Sequence, residues 1–274
     1  MIQVNYGKYT IPKSLDKLIT LEKQLNHEGL LNYGGLLGYY FSYEGIDSRY
    51  LNTPLDLISF ARPGVDGIHY GFLTDFGQVK SLDTAYIVRV SPMDFDDPVK
   101  IVARNMEDFL RIISFFPGIL DVVDIHTSES DIEMALKETS TYHPDHKVRD
   151  IFIETMQLHP INYLYDYFQK IKHERENEII LSTEDGIGIV NKGLLDKEKL
   201  MKKISFHFNE GESLEVKEVK HFFDHGAYPS KLAFLRDSQS KGLIFDNQEV
   251  KLYLKEQLKL MQLHDEAIRM AYPE

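Results

Sequence analysis

Cysteine and tryptophan are absent from the 274 residues of this chain. Without cysteine there can be no disulfide, no thiolate nucleophile and no cysteine-ligated zinc or iron–sulfur site. Basic residues are also in short supply. Lys and Arg number 31 against 43 Asp and Glu, a formal charge of −12. That sign argues against a general nucleic-acid binder and favours solubility and basic partners. Long hydrophobic runs are missing too. The most apolar stretch, Phe109 to Leu120, is interrupted by Arg111, Pro117 and Gly118, and falls far short of the ~20 residues that span a bilayer. No basic stretch opens the chain and no apolar run of about 7–15 residues follows, so the sequence predicts no signal peptide and a cytoplasmic protein. The Gly-x-Ser-x-Gly elbow and the glycine-rich phosphate-binding signatures are likewise absent, Gly186-Ile187-Gly188 being only a fragment of the latter.

The length corresponds to a little under two domains at about 150 residues each. Pro12 and Gly29 bound a first helix whose Leu15, Leu18, Ile19 and Leu25 recur on one face. Asn32 to Gly35 is a turn cluster. Leu55–Phe60, Ile68–Thr74, Tyr86–Val90 and Val99–Ala103 read as strands. Asn105, with Asp108 three residues on, caps a helix that buries Met106, Phe109, Leu110 and Ile113. This order predicts an α+β unit over residues 1–120, with an antiparallel sheet flanked by helices. Residues 121–274 read as a mainly helical region with a small hairpin, packed on the first unit, the boundary falling near residues 118–125. Within it, Pro160 opens a helix ending in the solvated charged run Lys172–Glu178. Glu184-Asp185-Gly186 turns a hairpin between Glu178 and Val190. Asp246, with Glu249 three on, starts the last helix, whose stripe is Val250, Leu254, Leu258, Met261 and Ile268.

Several groups invite a chemical reading. His221 and His225 in His-Phe-Phe-Asp-His lie at i and i+4, the spacing of an inverted zinc-protease motif with Asp224 as its acid. Asp is a methylene shorter than the usual Glu, and Gly226 ends the helix at the second ligand. His143-Pro144-Asp145-His146 and the pair Asp124 and His126 are further candidates for metal or acid–base work, the bland reading being turn caps. Asp94, Asp96 and Asp97 form a loop that could hold calcium or magnesium, or serve as an acidic rim for a basic partner. The cluster Tyr39, Tyr40, Phe41 and Tyr43 is core or interface.

Residues 32 to 113 carry Asn-Tyr-Gly-Gly, Leu-Asp-Leu-Ile-Ser-Phe-Ala, Gly-Val-Asp-Gly-Ile-His-Tyr-Gly-Phe-Leu and Val-Lys-Ile-Val-Ala-Arg-Asn-Met-Glu-Asp-Phe-Leu. Together these resemble the SUKH superfamily, which includes a yeast cell-wall-synthesis regulator and many bacterial toxin-immunity proteins. The resemblance covers about residues 10–120. It implies an α+β domain that binds proteins, with no catalytic residue and no cofactor to carry over, and a partner that is in some members a basic toxin nuclease. The expected partner-binding residues are Tyr39, Tyr40, Tyr43, Asp94, Asp96 and Asp97. A metal-dependent hydrolase using His221 and His225 is the alternative, and a small-ligand sensor fits the same sequence features.

Overall fold

The computed structural model describes residues 2–31, 35–45, 49–94, 96–139, 145–190, 204–208 and 213–272. The Asn32–Gly34 part of the first turn cluster, and His143 with Pro144, therefore lie outside the described residues. Two helices open the chain, α1 (Ile2–Tyr6) and α2 (Lys13–His27). Pro12 sits at the α2 N-cap, and the predicted stripe is buried. Gly29 closes the helix at φ +69°. The Leu30 amide donates to Leu25 O and that of Gly29 to Asn26 O, a Schellman closure that only a residue at ease with positive φ makes cheaply.

A five-stranded antiparallel meander follows: β1 (Tyr40–Phe41), β2 (Leu57–Arg62), β3 (His69–Leu73), β4 (Ile87–Val90) and β5 (Val99–Ala103), in the order β1-β2-β3-β4-β5. Nearly every position of β2 to β5 is buried, so both faces of the sheet are covered, as their near-continuous apolar runs require. Helix α3 (Met106–Phe115) follows β5, and the Asn105 side chain accepts the Asp108 amide, as its spacing predicts. The remainder comprises α4 (Glu129–Thr139), α5 (His146–Met156), α6 (Leu164–Glu178), the hairpin β6 (Ile179–Leu181) and β7 (Ile189–Val190), and α7 (Val216–His225), α8 (Tyr228–Ser240), α9 (Leu243–Asp246), α10 (Gln248–Leu260) and α11 (His264–Arg269). The chain is α+β, with the helices concentrated after the sheet. No helix among the described residues is long and apolar enough to cross a membrane.

Three local expectations need correction. Helix α6 begins at Leu164 rather than Pro160. The last helix is two: Asn247, not Asp246, caps α10 through the Glu249 and Val250 amides. Gln262 at φ +62° then breaks the helix, so Leu263, Ala267 and Met270 are buried while Ile268 is 45% exposed. The charged run Lys172–Glu178 is not a wholly solvated end either, because Arg175 is buried. The cores also divide the chain differently from a boundary at 118–125. One runs from Tyr6 through the sheet to Ile171 and includes Ile187. The other joins Leu55, Phe76 and Ile189 to the helices beyond residue 213.

Arg175 belongs to the ion network that locks these two cores together. Its guanidinium grips Asp75 with two bonds of 2.9 and 3.1 Å and donates to Ile187 O. Arg236, from α8, donates to Asp56 at 2.6 Å and to Asp185 at 3.3 Å, and lies 3.9 Å from Asp75. All five side chains are at most 2% exposed. Burial lifts the Asp56 pKa against the pull of Arg236. For Arg236 burial opposes the charge, but Asp56, Asp185 and Asp75 outweigh it and raise its pKa. Arg236→Met would leave buried carboxylates without their cation, so it should cost about 3–5 kcal/mol, read as a lowered urea midpoint with an unchanged slope.

Candidate functional site

In the meander, the β2–β3 and β4–β5 turns leave the sheet at one end, where His69 pairs with Val90 and Tyr40 with Arg62. The segment 49–56 returns across this end. Arg49 fixes it by donating to the carbonyls of Thr53, Pro54 and Leu57. Gln239 of α8 accepts the Leu55 amide at 3.0 Å and donates to Thr53 O. Asn52 donates to Pro92 O at 3.1 Å, tying the segment to the β4–β5 turn.

His69 sets the ring of Tyr50. The two rings stack with centroids 6.1 Å apart. Burial brings the His69 pKa down to about 4, so the imidazole is neutral near pH 7. Gly67 O can only accept, so Nδ1 carries the hydrogen, and Nε2 accepts from the Thr53 hydroxyl at 3.1 Å. On its other side Tyr50 covers Gly67 so closely that a Cβ there would overlap the hydroxyl. Gly67 also sits at φ +69°, so two requirements select glycine in this turn.

Three depressions meet on this end of the molecule. One of about 440 Å³ lies between Tyr40, Tyr50, Arg49, Arg62 and the β2–β3 turn. Tyr50 also borders an apolar groove of about 310 Å³ with Leu51, Pro92, Met93 and the Ser240–Gly242 end of α8. Lys241 of that groove pairs with Glu184 at 2.5 Å, and Glu184 lines a third cleft of about 290 Å³ with Asp96, Asp97, Asp185, Lys100 and His126. Tyr40, Tyr50, Leu51, Val65 and Met93 are 41–64% exposed. The surface is thus an apolar strip with an arginine-lined pocket at one end and an acid-rich cleft at the other.

The residues expected to bind a partner do not all reach it. Asp96 and Asp97 line the cleft, and Asp94 stands behind them, accepting the Asp97 amide at 3.4 Å. Asp97 is paired with Lys100, whereas Asp94 and Asp96 have no cation within 4 Å among the described residues. Tyr40 lines the arginine pocket. Tyr39 is only 2% exposed and packs edge-on against Tyr70 and Phe109, so it is core and drops out of a partner surface. Tyr43 turns to α2, where its hydroxyl donates to Asp16 at 2.5 Å; burial and that carboxylate push its pKa up to about 12. Leu51, Val65 and Met93 carry no polar motif, and their convergence depends on turn geometry.

The other candidates separate as well. His221 and His225 share one face of α7 with ring centroids 4.4 Å apart, and His225 Nδ1 is engaged with His221 O at 2.8 Å. No group of three His, Asp or Glu side chains with metal-holding geometry occurs among the described residues, so the pair acquires no third ligand there. Asp124 accepts the backbone amide of His126 at 2.7 Å, a turn-forming bond, and burial lowers the His126 pKa against the pull of the Asp124 charge. Asp145 caps α5 through the Lys147 and Val148 amides.

Asp237, beside the cleft, accepts the Glu184 amide at 2.8 Å. Burial, aided by Asp185 and Glu184, raises its pKa from 3.8 to about 6. The folded chain therefore takes up this proton before the unfolded chain does, and the group adds stability as pH falls from about 6 toward 3.8. Asp237→Asn removes that gain. Its stability, measured by urea titration, should fall relative to the parent between pH 6 and 4, with the difference levelling above pH 7. Comparison with known proteins adds no assignment to this geometry: no family model and no curated protein matches the chain.

Proposed function

We propose that the chain is a non-catalytic protein-binding module whose contact surface is the turn end of the five-stranded sheet, and that its partner presents a basic, partly apolar segment. The observation that carries this reading is the convergence of five exposed large side chains, Tyr40, Tyr50, Leu51, Val65 and Met93, beside a cleft edged by Asp96 and Asp97. Contiguous apolar area bordered by polar residues is characteristic of contact surfaces. Aromatic and methionine side chains supply contact area, and exposed carboxylates attract and orient a cationic partner.

The antiparallel sheet between α2 and α3 agrees with the architecture that the SUKH resemblance implies. That family reading makes a basic toxin, neutralised by direct binding, the expected partner class. The net charge of −12 favours encounter with such a protein.

Selection from a random displayed-peptide library against the intact chain tests the reading. Enriched peptides should carry Arg or Lys beside aliphatic or aromatic residues. Asp96→Lys with Asp97→Lys should weaken them about tenfold at low salt and less at 0.5 M salt, whereas Tyr50→Ala with Leu51→Ala should weaken them at both. Enrichment of peptides without a basic residue, or unchanged binding by both double variants, would overturn it.

A further inference from the structure

The far end of the same strip has the opposite electrostatic character. Among the described residues lining the pocket at the β2–β3 turn there are two arginines and no acidic residue, in a chain whose net charge is −12. Arg49 is 4% exposed. Its three bonds go to neutral carbonyls, and its buried Nε has no acceptor. No carboxylate of the described residues comes within ion-pair distance of it, unlike Arg175, Arg236 and Arg269. Burial pulls its pKa down and Arg269 adds to that, while Asp56 and Glu266, beyond ion-pair distance, pull the other way without offsetting it. Arg62 ends β2 opposite Tyr40, is exposed, and has no ion pair among the described residues.

The walls of this pocket are built to stay open between those charges. Gly64 leaves room for the Tyr40 ring, which would touch a Cβ at 3.2 Å, and Gly67 leaves room for Tyr50. Bracing the 49–56 segment accounts for the carbonyl contacts of Arg49. It does not account for a second arginine lining the same 440 Å³ space, with no carboxylate among the lining residues and none in ion-pair distance of either arginine among the described residues. A pocket lined by two arginines that no carboxylate of the described residues pairs favours an anion, and a guanidinium is suited to a carboxylate.

We infer that this pocket receives a carboxylate side chain from the partner segment that also places a basic residue in the Asp96–Asp97 cleft. The inference rests on the protein-binding reading and specifies it further: the segment is bipolar, with an acid, an apolar centre and a base laid in that order along the face. Tyr50 borders both the arginine pocket and the apolar groove, and the Lys241–Glu184 pair joins that groove to the cleft, so one segment can follow an unbroken path.

Charge-reversal cycles on a library-selected peptide test the inference. Arg62→Glu lies on an exposed strand end and should leave the circular dichroism unchanged. It should weaken the peptide about tenfold, and replacing the peptide's acid by Lys should restore most of that loss. The same peptide change should not rescue Asp96→Lys with Asp97→Lys, which only reversal of the peptide's base should recover. A peptide that needs the cleft but binds Arg62→Glu as tightly as the parent would overturn the bipolar footprint while leaving the protein-binding reading intact. If no peptide binds at all, both fail. Saturable binding of inorganic phosphate, dependent on Arg62 and followed by NMR shifts without peptide, would reassign the pocket to a free anion and also overturn the inference.

Discussion

The bond from Arg236 to Asp56, with Arg175 on Asp75 beside it, is the constraint on which the rest of the molecule hangs. Asp56 precedes β2 and Asp75 follows β3, so these two carboxylates mark the sheet end opposite the β2–β3 turn. Three consecutive residues, Asp75, Phe76 and Gly77, take positive φ there. Two of them are not glycine, a conformation that costs about 1–2 kcal/mol per residue. The bidentate grip of Arg175 on Asp75, and the Phe76 amide donating to Asp56 at 3.0 Å, hold that turn in place. Phe76 is thereby delivered to the second core, and Arg236 lies 5.2 Å from its ring centroid.

From the network, α8 carries the constraint to the other end of the sheet. Arg236 binds Asp56, Gln239 one turn later secures the Thr53–Leu55 backbone, and Ser240 to Gly242 form a wall of the apolar groove. Asp185, held by the same arginine, fixes the hairpin turn that closes the acidic cleft. Such a network adds little net stability over well-packed apolar residues of the same volume, because desolvation cancels much of the Coulomb energy. What it supplies here is position. An apolar replacement could join the two cores, but it could not fix Asp56, Asp75 and Asp185 relative to one another.

That dependence explains which features could be read from the sequence. Helix α2 and the Asn105 cap follow from contacts within a few residues, and strands β3 to β5, though paired at longer range, carry their apolar and β-branched runs locally, so the sequence pattern exposes all of them. Asp96 and Asp97 were legible as an acidic loop because they stand together in the chain. Arg175 was not, since its partner Asp75 is 100 residues away and a charged helix end offers no sign of burial. Tyr39 and Tyr40 show the limit in one dipeptide. They are equal as sequence, yet the pleat sends Tyr39 into the core and leaves Tyr40 at the pocket. Leu51, Val65 and Met93 come from three separate segments, and only the meander brings them together.

The location of the proposed contact surface follows from what the sheet has left to offer. Its two faces are buried, and its edges are managed: β1 is two residues long, while α6 packs along β5. Short or covered edges discourage pairing with another strand. One strand end is closed by the ion network. The turn end remains, and there backbone polar groups are satisfied within turns while side chains need not enter either core. A surface assembled from turns can combine charge and apolar area without disturbing the hydrogen-bond ladder. With an acid-rich cleft at one side and an arginine pocket without ion pairs among the described residues at the other, it favours a partner in one orientation, because reversing the partner would oppose like charges at both ends.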